Sequence, residues 1–344
     1  MKLERTRALM ARKLKEKAFD TFAVRVSLRG EESTLYSENA NEDTLFDMAS
    51  CGKVLHTCPL VFQAIGEGKL RLDSMLDDFF ANVPEEKKRV TVQQLLTHTS
   101  GIVRIPLPKD VCARGTDAIA ECILAAPLAF APGSDYAYSC NGMNLLGFIV
   151  EKLYGQTMDA LFEARLKAPL RMTRSRFVIA VDEPNAAVCY TRREVGPMRF
   201  DDANVLSMGR VCGAGGSFFS PGDVGKFVRA VMEKDETLYP ERFFALAETD
   251  YTPRFEEGRG LGWLIVDGRY PQTGRLFPVG SFGHCGHTGQ SIYISRTLDL
   301  SVVILTNATR FSAMKHDFIT DDYGAVEVLR AEIHNALADD LAIE

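Results

Sequence analysis

The residues with the clearest chemical potential are a serine and a lysine three positions apart, Ser50 and Lys53, at the start of an apolar stretch. Residues at i and i+3 of a helix share one face, so the lysine amine would lie within reach of the serine hydroxyl. A serine hydroxyl needs a base to become a nucleophile, and a desolvated lysine with a lowered pKa can supply one. The helix N-terminus would also stabilise negative charge that develops beside Ser50. The pair therefore predicts a nucleophilic serine.

This spacing is weak evidence by itself, because ordinary Ser and Lys usage produces about one S-x-x-K match in a chain of this length. Ser312 and Lys315 form a second match, which begins no long apolar helix. Pro59 lies inside the helix predicted for residues 50–65, where its ring would clash with the Leu55 carbonyl and kink the helix. On the pattern alone, a structural pair and a catalytic pair are equally well supported.

Two phrases downstream of the serine make the context more specific. Residues 68–73 read GKLRLD and residues 91–101 read TVQQLLTHTSG. With them the chain resembles the serine β-lactamase-related family, which includes class C β-lactamases, low-molecular-weight penicillin-binding proteins, D-aminopeptidases and esterases of the same fold. Members typically read S-x-x-K, then G-K-L-x-L-D, then L-L-x-H-T-S-G. The resemblance implies that His98 shapes a turn under the site and is a structural histidine rather than a catalyst.

The second motif is Tyr138-Ser139-Cys140, which precedes a helix predicted for residues 142–154. The family usually reads Y-S-N at this distance before L-L-G, so the resemblance places Tyr138 at the catalytic tyrosine. Such a tyrosine, as a phenolate or linked to the lysine, can take and return the serine and leaving-group protons. Cys140 stands at the substrate-binding asparagine, which contacts the substrate amide in the family, so amide recognition is in doubt. Shifting the motif by one residue would use Asn141, but the L-L-G spacing then fails.

The third motif, residues 283–289, reads GHCGHTG and enters a strand predicted for residues 291–295. The family carries K-T-G or H-T-G on this strand, at the edge of the cleft. The resemblance implies that His284 is the catalytic cation, which holds a substrate carboxylate and tunes the tyrosine. It also places Cys285 and Gly286 against the substrate. The backbone N–H groups of His287 and Ser50 would form an oxyanion hole.

Two other interpretations of the third motif stay open. His284, Cys285 and His287 could bind a metal, although adjacent residues of a strand point to opposite faces. His284 could also be a solvated side chain beside a turn. The family mechanism requires no metal and no organic cofactor, so we expect neither.

Length and composition indicate a globular protein. The chain has 344 residues, 40 basic and 46 acidic side chains, a net charge of -6 and 46% hydrophobic residues. This composition excludes disordered and collagen-like chains, and the acidic balance argues against nucleic-acid binding. No apolar run approaches the roughly 18 residues of a membrane span.

Strand-like segments near both termini and helices in the middle predict the architecture. Residues 21–28 and 34–37 predict a hairpin with a turn at Gly30 and the two glutamates that follow it. Later strands are predicted at residues 261–267, 291–295 and 300–306, before a last helix at residues 324–341. The fold class is therefore α/β, of the α+β type: an antiparallel sheet built from both termini, flanked by helices, with an inserted mainly helical lobe.

We expect one catalytic domain over residues 1–344. Within it, residues 1–58 and 205–344 would form the sheet lobe and residues 59–204 the mainly helical lobe. The length suits one two-lobed domain of this size.

The eight cysteines bear on the compartment and on the cleft. The N-terminal residues contain no apolar core and no small-residue cleavage site, and no C-x-x-C pair occurs. Free thiols in a cytoplasmic protein are therefore expected. Cys51, Cys140 and Cys285 fall inside the three motifs, so we expect thiols to line the cleft.

The resemblance implies a serine hydrolase that forms a covalent acyl-enzyme on Ser50. Because Cys140 and His284 replace the usual asparagine and lysine, we expect a carboxylesterase or small-amide hydrolase acting on a small-molecule substrate. A β-lactamase, a D-amino-acid peptidase or amidase, and a catalytically silent binding protein are the alternatives. An α/β-hydrolase is disfavoured because no G-x-S-x-G elbow occurs. The sequence leaves the oligomeric state open.

Overall fold

A computed structural model describes residues 1–179, 183–187, 202–269, 271–311 and 324–343 of the chain. The second S-x-x-K match, Ser312 to Lys315, and the cysteine at position 189 lie outside these residues. No helix in the described ranges has the length and apolar character needed to cross a bilayer. The seven cysteines within them are free thiols.

The main sheet has six antiparallel strands in the order β2-β1-β8-β7-β6-β5. Its strands are β1 Phe22–Leu28, β2 Glu31–Tyr36, β5 Leu264–Ile265, β6 Phe282–Cys285, β7 Ser291–Ser295 and β8 Leu300–Thr306. A second, two-stranded sheet pairs β3 Phe46–Asp47 with β4 Phe218–Phe219. The N-terminal hairpin lies next to the last strand of the chain, so both ends of the chain build one sheet, as predicted.

Two strand predictions differ from the structure. The hairpin turn is confined to Arg29 and Gly30, both with positive φ, so the two glutamates begin β2 instead of extending the turn. The strand predicted for residues 261–267 is regular only at Leu264–Ile265. A bend explains the second difference, because Gly262 has a φ of 84° and packs tightly on Cys58.

The helices cover both faces of the sheet. They are α1 Glu4–Lys15, α2 Cys58–Gly66, α3 Val92–Leu96, α4 Lys109–Ala113, α5 Thr116–Ala125, α6 Cys140–Tyr154, α7 Met158–Phe162, α8 Ala203–Met208, α9 Pro221–Glu233, α10 Arg242–Ala247 and α11 Gly324–Leu341. The first and last helices pack on one face, in a core that includes Val24, Tyr293 and Ile333. The opposite face joins a larger core with the middle helices. Burial on both faces explains why β8 consists almost wholly of apolar residues. The lobe boundaries at residues 58/59 and 204/205 stay a prediction.

The predicted nucleophile helix is irregular. A 3-10 turn at Ala49–Cys51 leads into a π-helical turn at Lys53–Thr57, and a regular α-helix begins only at Cys58. Pro59 therefore occupies the first turn of α2, a position that needs no intrahelical N–H. The wide π turn ends where a regular helix would bring the proline ring against the Leu55 carbonyl. The predicted clash is thus absorbed by the π turn.

The third motif lies on a strand that the sequence analysis missed. His284 and Cys285 end β6, and residues 286–290 form the turn into β7. The motif, residues 283–289, therefore covers the end of β6 and most of the turn, and it does not lie on β7. The Cys51 thiol donates to the His284 carbonyl at 3.5 Å, so the end of β6 lies directly beside the 3-10 turn that carries Ser50.

Candidate active site

The geometry of the first motif centres on a buried lysine. The Lys53 amine donates to Ser50 Oγ at 2.9 Å and to the carbonyl of Ala214 at 2.8 Å. It also lies 3.5 Å from the Cys140 thiol. The lysine side chain is fully buried, whereas Ser50 is half-buried at the wall of a cleft. The fold therefore brings the first two motifs into direct contact.

The turn before the serine is strained and tightly packed. Ala49 has a φ of 45°, in the left-handed region that favours glycine. An added Cβ at Gly286 would approach Met48 O to 2.7 Å, and one at Gly215 would approach Ala49 O to 3.0 Å. The two glycines thus allow two other segments to pack against the turn. Gly286 is needed for this contact, whereas the sequence analysis assigned it to substrate access.

Helix α6 holds the loop whose Ala214 carbonyl accepts the hydrogen bond from Lys53. Ala214 N–H donates to Asn144 Oδ1 at 3.0 Å, and the Ala214 carbonyl binds Lys53. An added Cβ at Gly213 would lie 2.0 Å from Met143 O, so the loop rests directly on the helix backbone. The sequence analysis missed Asn144. A buried amide in the apolar stretch of α6 was its only signal, and buried amides need a partner.

Tyr138 lies beside the lysine and against a histidine. Its ring centroid is 5.0 Å from the Lys53 amine and 4.6 Å from the His98 ring. His98 Nδ1 accepts from the backbone N–H of Ser139 at 3.2 Å, and Ser139 Oγ accepts from Gly142 N–H to cap α6. His98 is therefore a buried side chain that holds the second motif, as the sequence analysis expected.

The register of the second motif is set by Cys140 and not by Asn141. Cys140 lines the cleft, whereas the amide of Asn141 donates to the carbonyls of Val103 and Ile105 at 3.2 and 3.4 Å. The first residue of α6 thus points to the lysine and the second points to a neighbouring loop. The thiol stands where the resemblance places an amide.

His284 is a buried side chain whose surroundings disfavour the cationic form expected at this position. It is 3% exposed, and its Nδ1–H donates to the Cys285 carbonyl at 2.8 Å. Burial holds its pKa well below the usual value, and the positive charges of Arg259 and Lys53 lower it further. Its ring lies 6.3 Å from that of Tyr138. A neutral imidazole cannot hold a substrate carboxylate by charge.

Both His284 and Cys285 line the cleft, but the Cys285 thiol points away from that imidazole. It lies 3.5 Å from the Tyr293 hydroxyl, whereas His284 faces Tyr138. Adjacent strand residues diverge in this way because their side chains alternate between faces. In the described ranges no cluster of three or more His, Cys, Asp or Glu is arranged to hold a metal ion.

Comparison with known proteins identifies the family. A sequence profile described as Beta-lactamase matches residues 6–323. The chain belongs to the Beta-lactamase family. Esterase EstB of Burkholderia gladioli is 30% identical, with 77% of this chain and 78% of EstB covered. A putative D-alanyl-D-alanine carboxypeptidase of Escherichia coli (strain K12) is 28% identical, with 78% of this chain and 70% of that protein covered.

Solved structures show the same fold at lower identity. A class C β-lactamase in complex with cefoxitin has a TM-score of 0.76 at 19% identity, with 98% of each chain covered. The octameric penicillin-binding protein homologue from Pyrococcus abyssi has a TM-score of 0.75 at 21% identity, covering 99% of this chain and 78% of that one. The predicted fold class and family are therefore confirmed, and this Beta-lactamase family chain is a serine hydrolase.

The pKa values within the family site correct one expectation. Burial alone would lower the pKa of Lys53, but the charge interactions with Cys140 and Tyr138 in their ionised forms outweigh burial, and the pKa lies above its usual value. Burial raises the pKa of Tyr138, and Lys53 opposes this rise. The lysine is thus not the low-pKa base expected from its desolvation. With both pKa values raised, Lys53 and Tyr138 hold their protons at neutral pH.

Arg259 is a site residue that the sequence analysis missed. Its guanidinium is 4% exposed, binds Glu257 through Nε at 2.8 Å and lies 5.3 Å from the Tyr138 ring centroid. Tyr136 donates to the same carboxylate. Arg259 lies just before the strand predicted for residues 261–267. A basic residue entering a buried strand was the available signal.

The cleft has a volume of about 550 Å³ and is lined by residues of all three motifs, including Ser50, Tyr138, Cys140, Cys285 and His287. Cys51 is fully buried, so the expectation that it lines the cleft is wrong. Its thiol faces the end of β6 because the nucleophile turn presents only Ser50 to the cleft. Two thiols, not three, line the cleft among the described residues.

We predict that Gly213→Ala destabilises the protein by about 1–3 kcal/mol, because the new methyl group overlaps the Met143 carbonyl and the packed core cannot easily relax. Urea denaturation measures the change in the free energy of unfolding. Gly142→Ala, on helix α6 against which the loop packs, is the matched control, since an added Cβ there lies at an ordinary 3.5 Å from its nearest neighbour, Leu95. It should be neutral or stabilising by up to about 1 kcal/mol. Equal stability of the two variants would contradict the close contact between the loop and α6.

Proposed function

We propose that Ser50 is the nucleophile of an acyl-enzyme mechanism and that the enzyme acts mainly on esters. The observation that carries this proposal is the 2.9 Å contact between the Lys53 amine and Ser50 Oγ, with Tyr138 alongside, at the wall of an open cleft. A nucleophile in contact with a base, which a third group orients, is the general arrangement of covalent hydrolases.

The proton path follows from the contacts. After the Lys53–Tyr138 pair loses one proton, it accepts the Ser50 hydroxyl proton while Oγ bonds to the substrate carbonyl carbon. The carbonyl oxygen becomes an oxyanion, which accepts hydrogen bonds from the backbone N–H groups of Ser50 and His287. Tyr138 then protonates the leaving group as the carbon–oxygen bond breaks. Water, deprotonated by the same pair, releases the acyl group and restores Ser50.

Two side chains favour esters over amides. Cys140 offers only a weakly hydrogen-bonding thiol beside Lys53. A substrate amide would therefore not find the side-chain carbonyl oxygen and NH2 group that an asparagine presents. His284 is neutral, so the cation expected for a substrate carboxylate is absent from that position. The name of the relative EstB is consistent with this preference. We also propose a cytoplasmic location, on the strength of the seven free thiols in the described residues.

The relatives named putative D-alanyl-D-alanine carboxypeptidase support a second candidate, hydrolysis of D-alanyl amides. In such a reaction Tyr138 must protonate the leaving amine, and Cys140 must form a hydrogen bond to the substrate amide. A β-lactamase and a catalytically silent binding protein are the remaining outcomes. The intact contact between Ser50 and Lys53 argues against the silent protein.

We predict that a fluorophosphonate adds its mass to Ser50 and that activated short-chain esters are hydrolysed faster than a chromogenic cephalosporin or D-alanyl amides. Ser50→Ala should abolish the adduct and lower kcat by about a thousandfold or more. Intact-mass spectrometry and steady-state rates measure both. An adduct that persists in Ser50→Ala, or rapid cephalosporin turnover without ester hydrolysis, would refute the proposal.

The raised pKa values predict an alkaline pH dependence. Because the active form has lost one proton from the Lys53–Tyr138 pair, only a small fraction is active at neutral pH. Below the apparent pKa of the pair, kcat/KM for an ester should rise about tenfold per pH unit. His284 should add no inflection near pH 6.5, since its pKa is well below that value. The profile is measured with Ser50→Ala as the blank for hydroxide-catalysed hydrolysis, and a plateau from pH 6 upward would contradict the assignment.

Cys140→Asn should shift the substrate preference toward amides. One restored hydrogen bond to a substrate amide contributes about 1–1.5 kcal/mol, so the ratio of amide to ester kcat/KM should rise about tenfold. Cys140→Ser, which has a similar size and no amide, is the control and should leave the ratio near the wild-type value. If both variants changed the ratio equally, Cys140 would not determine amide recognition.

A further inference from the structure

Arg330 is a buried guanidinium beneath the turn that follows β6. It projects from α11, lines the inner end of the cleft although it is only 3% exposed, and donates to the side-chain oxygen of Gln272 and to the backbone carbonyl of Gly286. Gln272 in turn donates to Glu327 at 2.9 Å. No ion pair joins Arg330 to a carboxylate in the part of the chain that the structure describes, and its Nε has no acceptor there. A buried cation without a counter-charge is costly, so its position requires an explanation.

The carbonyl that Arg330 binds belongs to a chemically important peptide unit. The Gly286 carbonyl and the His287 N–H are the two ends of one planar peptide, which is trans because the described chain contains no cis bond. The two groups therefore point in opposite directions. The carbonyl accepts from Arg330 on α11 and from the Gly289 N–H at 3.0 Å within the turn, and these two bonds together direct the N–H of the same peptide away from α11. The opposite neighbour of the turn is the nucleophile segment, since a Cβ on Gly286 would meet Met48 and Ala49.

We propose that Arg330 positions and polarises the Gly286–His287 peptide so that its N–H stabilises the oxyanion formed on Ser50. This proposal rests on the proposed function in one respect, the use of the His287 N–H as an oxyanion donor. Arg330 is thus a positioning residue that acts through the backbone, and it contributes to the transition state more than to substrate binding.

The physical basis is the charge-assisted hydrogen bond to the carbonyl. A guanidinium that donates to a peptide oxygen draws electron density toward it and strengthens the bond donated by the N–H of the same peptide. Because the charge is buried, its field at the turn is weakly screened. The thiol of Cys285 shows this field, since burial raises its pKa and Arg330 opposes the rise. Catalysis benefits because such donors are in place before the oxyanion forms.

The test compares esters with matched thionoesters in Arg330→Gln and Arg330→Lys. Sulfur accepts hydrogen bonds poorly, so an intact oxyanion hole favours the oxygen ester. We expect Arg330→Gln to lower kcat for the ester about 10–100-fold with little change in KM. Its ester to thionoester rate ratio should fall, because the oxygen substrate loses more. Arg330→Lys, which keeps the charge but not the two-pronged geometry, should show an intermediate ratio.

Arg275→Gln is the matched control. Arg275 also contacts α11, through Asp339, but its side chain is largely exposed and lies outside the cleft lining. It should leave kcat and the rate ratio unchanged, and thermal denaturation reports whether each variant is folded. If Arg330→Gln does not fold, Arg330→Lys alone decides, because a normal ratio in that variant with reduced kcat would overturn the proposal.

Two further results would overturn the role of Arg330. One is an equal loss for esters and thionoesters, which indicates a general structural effect. The other is a raised KM with unchanged kcat, which indicates direct substrate binding. Failure of the proposed function is separate, because it would appear as the absence of a Ser50 adduct in the wild-type enzyme.

Discussion

The fold of the site depends on burying the Lys53 amine, which has no carboxylate partner among the residues that the structure describes. Removing an ammonium group from water costs several kcal/mol unless its hydrogen bonds are replaced. Lys53 replaces them with Ser50 Oγ, the Ala214 carbonyl and the Cys140 thiol, which come from three separate segments of the chain. Each segment must therefore be held in place. Asn144 fixes the loop at Ala214, close backbone contact fixes it against α6, and the strained turn at Ala49 fixes the serine. The catalytic geometry and the solvation of the lysine are satisfied by the same contacts.

Burial also decides which groups carry charge in the cleft. The histidines at positions 56, 98 and 284 are kept neutral by burial and by nearby cations, and the pKa of His56 falls to about 3. Arg259 keeps its charge because Glu257 compensates it, whereas within the described part of the chain Arg330 donates to neutral oxygens. The imidazoles therefore orient neighbouring groups by hydrogen bonds and packing. In the proposed mechanism, proton transfer therefore falls to the Lys53–Tyr138 pair, and the guanidinium groups and the backbone provide electrostatic stabilisation.

Sequence reasoning succeeded where the information is local. The i, i+3 spacing of Ser50 and Lys53 predicts their contact, and the fixed distance to the L-L-G segment gives the register at Cys140. It failed where the outcome depends on residues distant in the chain. The pKa of Lys53 depends on partners that lie more than 80 positions away, so local desolvation suggested the wrong direction. The strand β6 is only four residues long and contains a glycine, so it carries no periodic signal. Arg259 and Arg330 have no motif and are recognised as site residues only when burial and hydrogen bonds are known.

The replacement of asparagine by Cys140 connects this buried amine to substrate choice. A thiol is a weak donor and acceptor, so it neither anchors Lys53 firmly nor presents a polar pair to a substrate amide. An amide also has a poor leaving group, which must receive a proton from Tyr138 as the bond breaks, whereas an activated alkoxide leaves with less assistance. Because burial raises the pKa of Tyr138, the phenol is a weaker acid, so the proton transfer that an amide leaving group requires is slower. For an ester this matters little, since the leaving oxygen needs little protonation. Under the proposed function, a thiol at position 140 thus weakens the recognition that an amide requires, while it leaves the ester pathway through Ser50 intact.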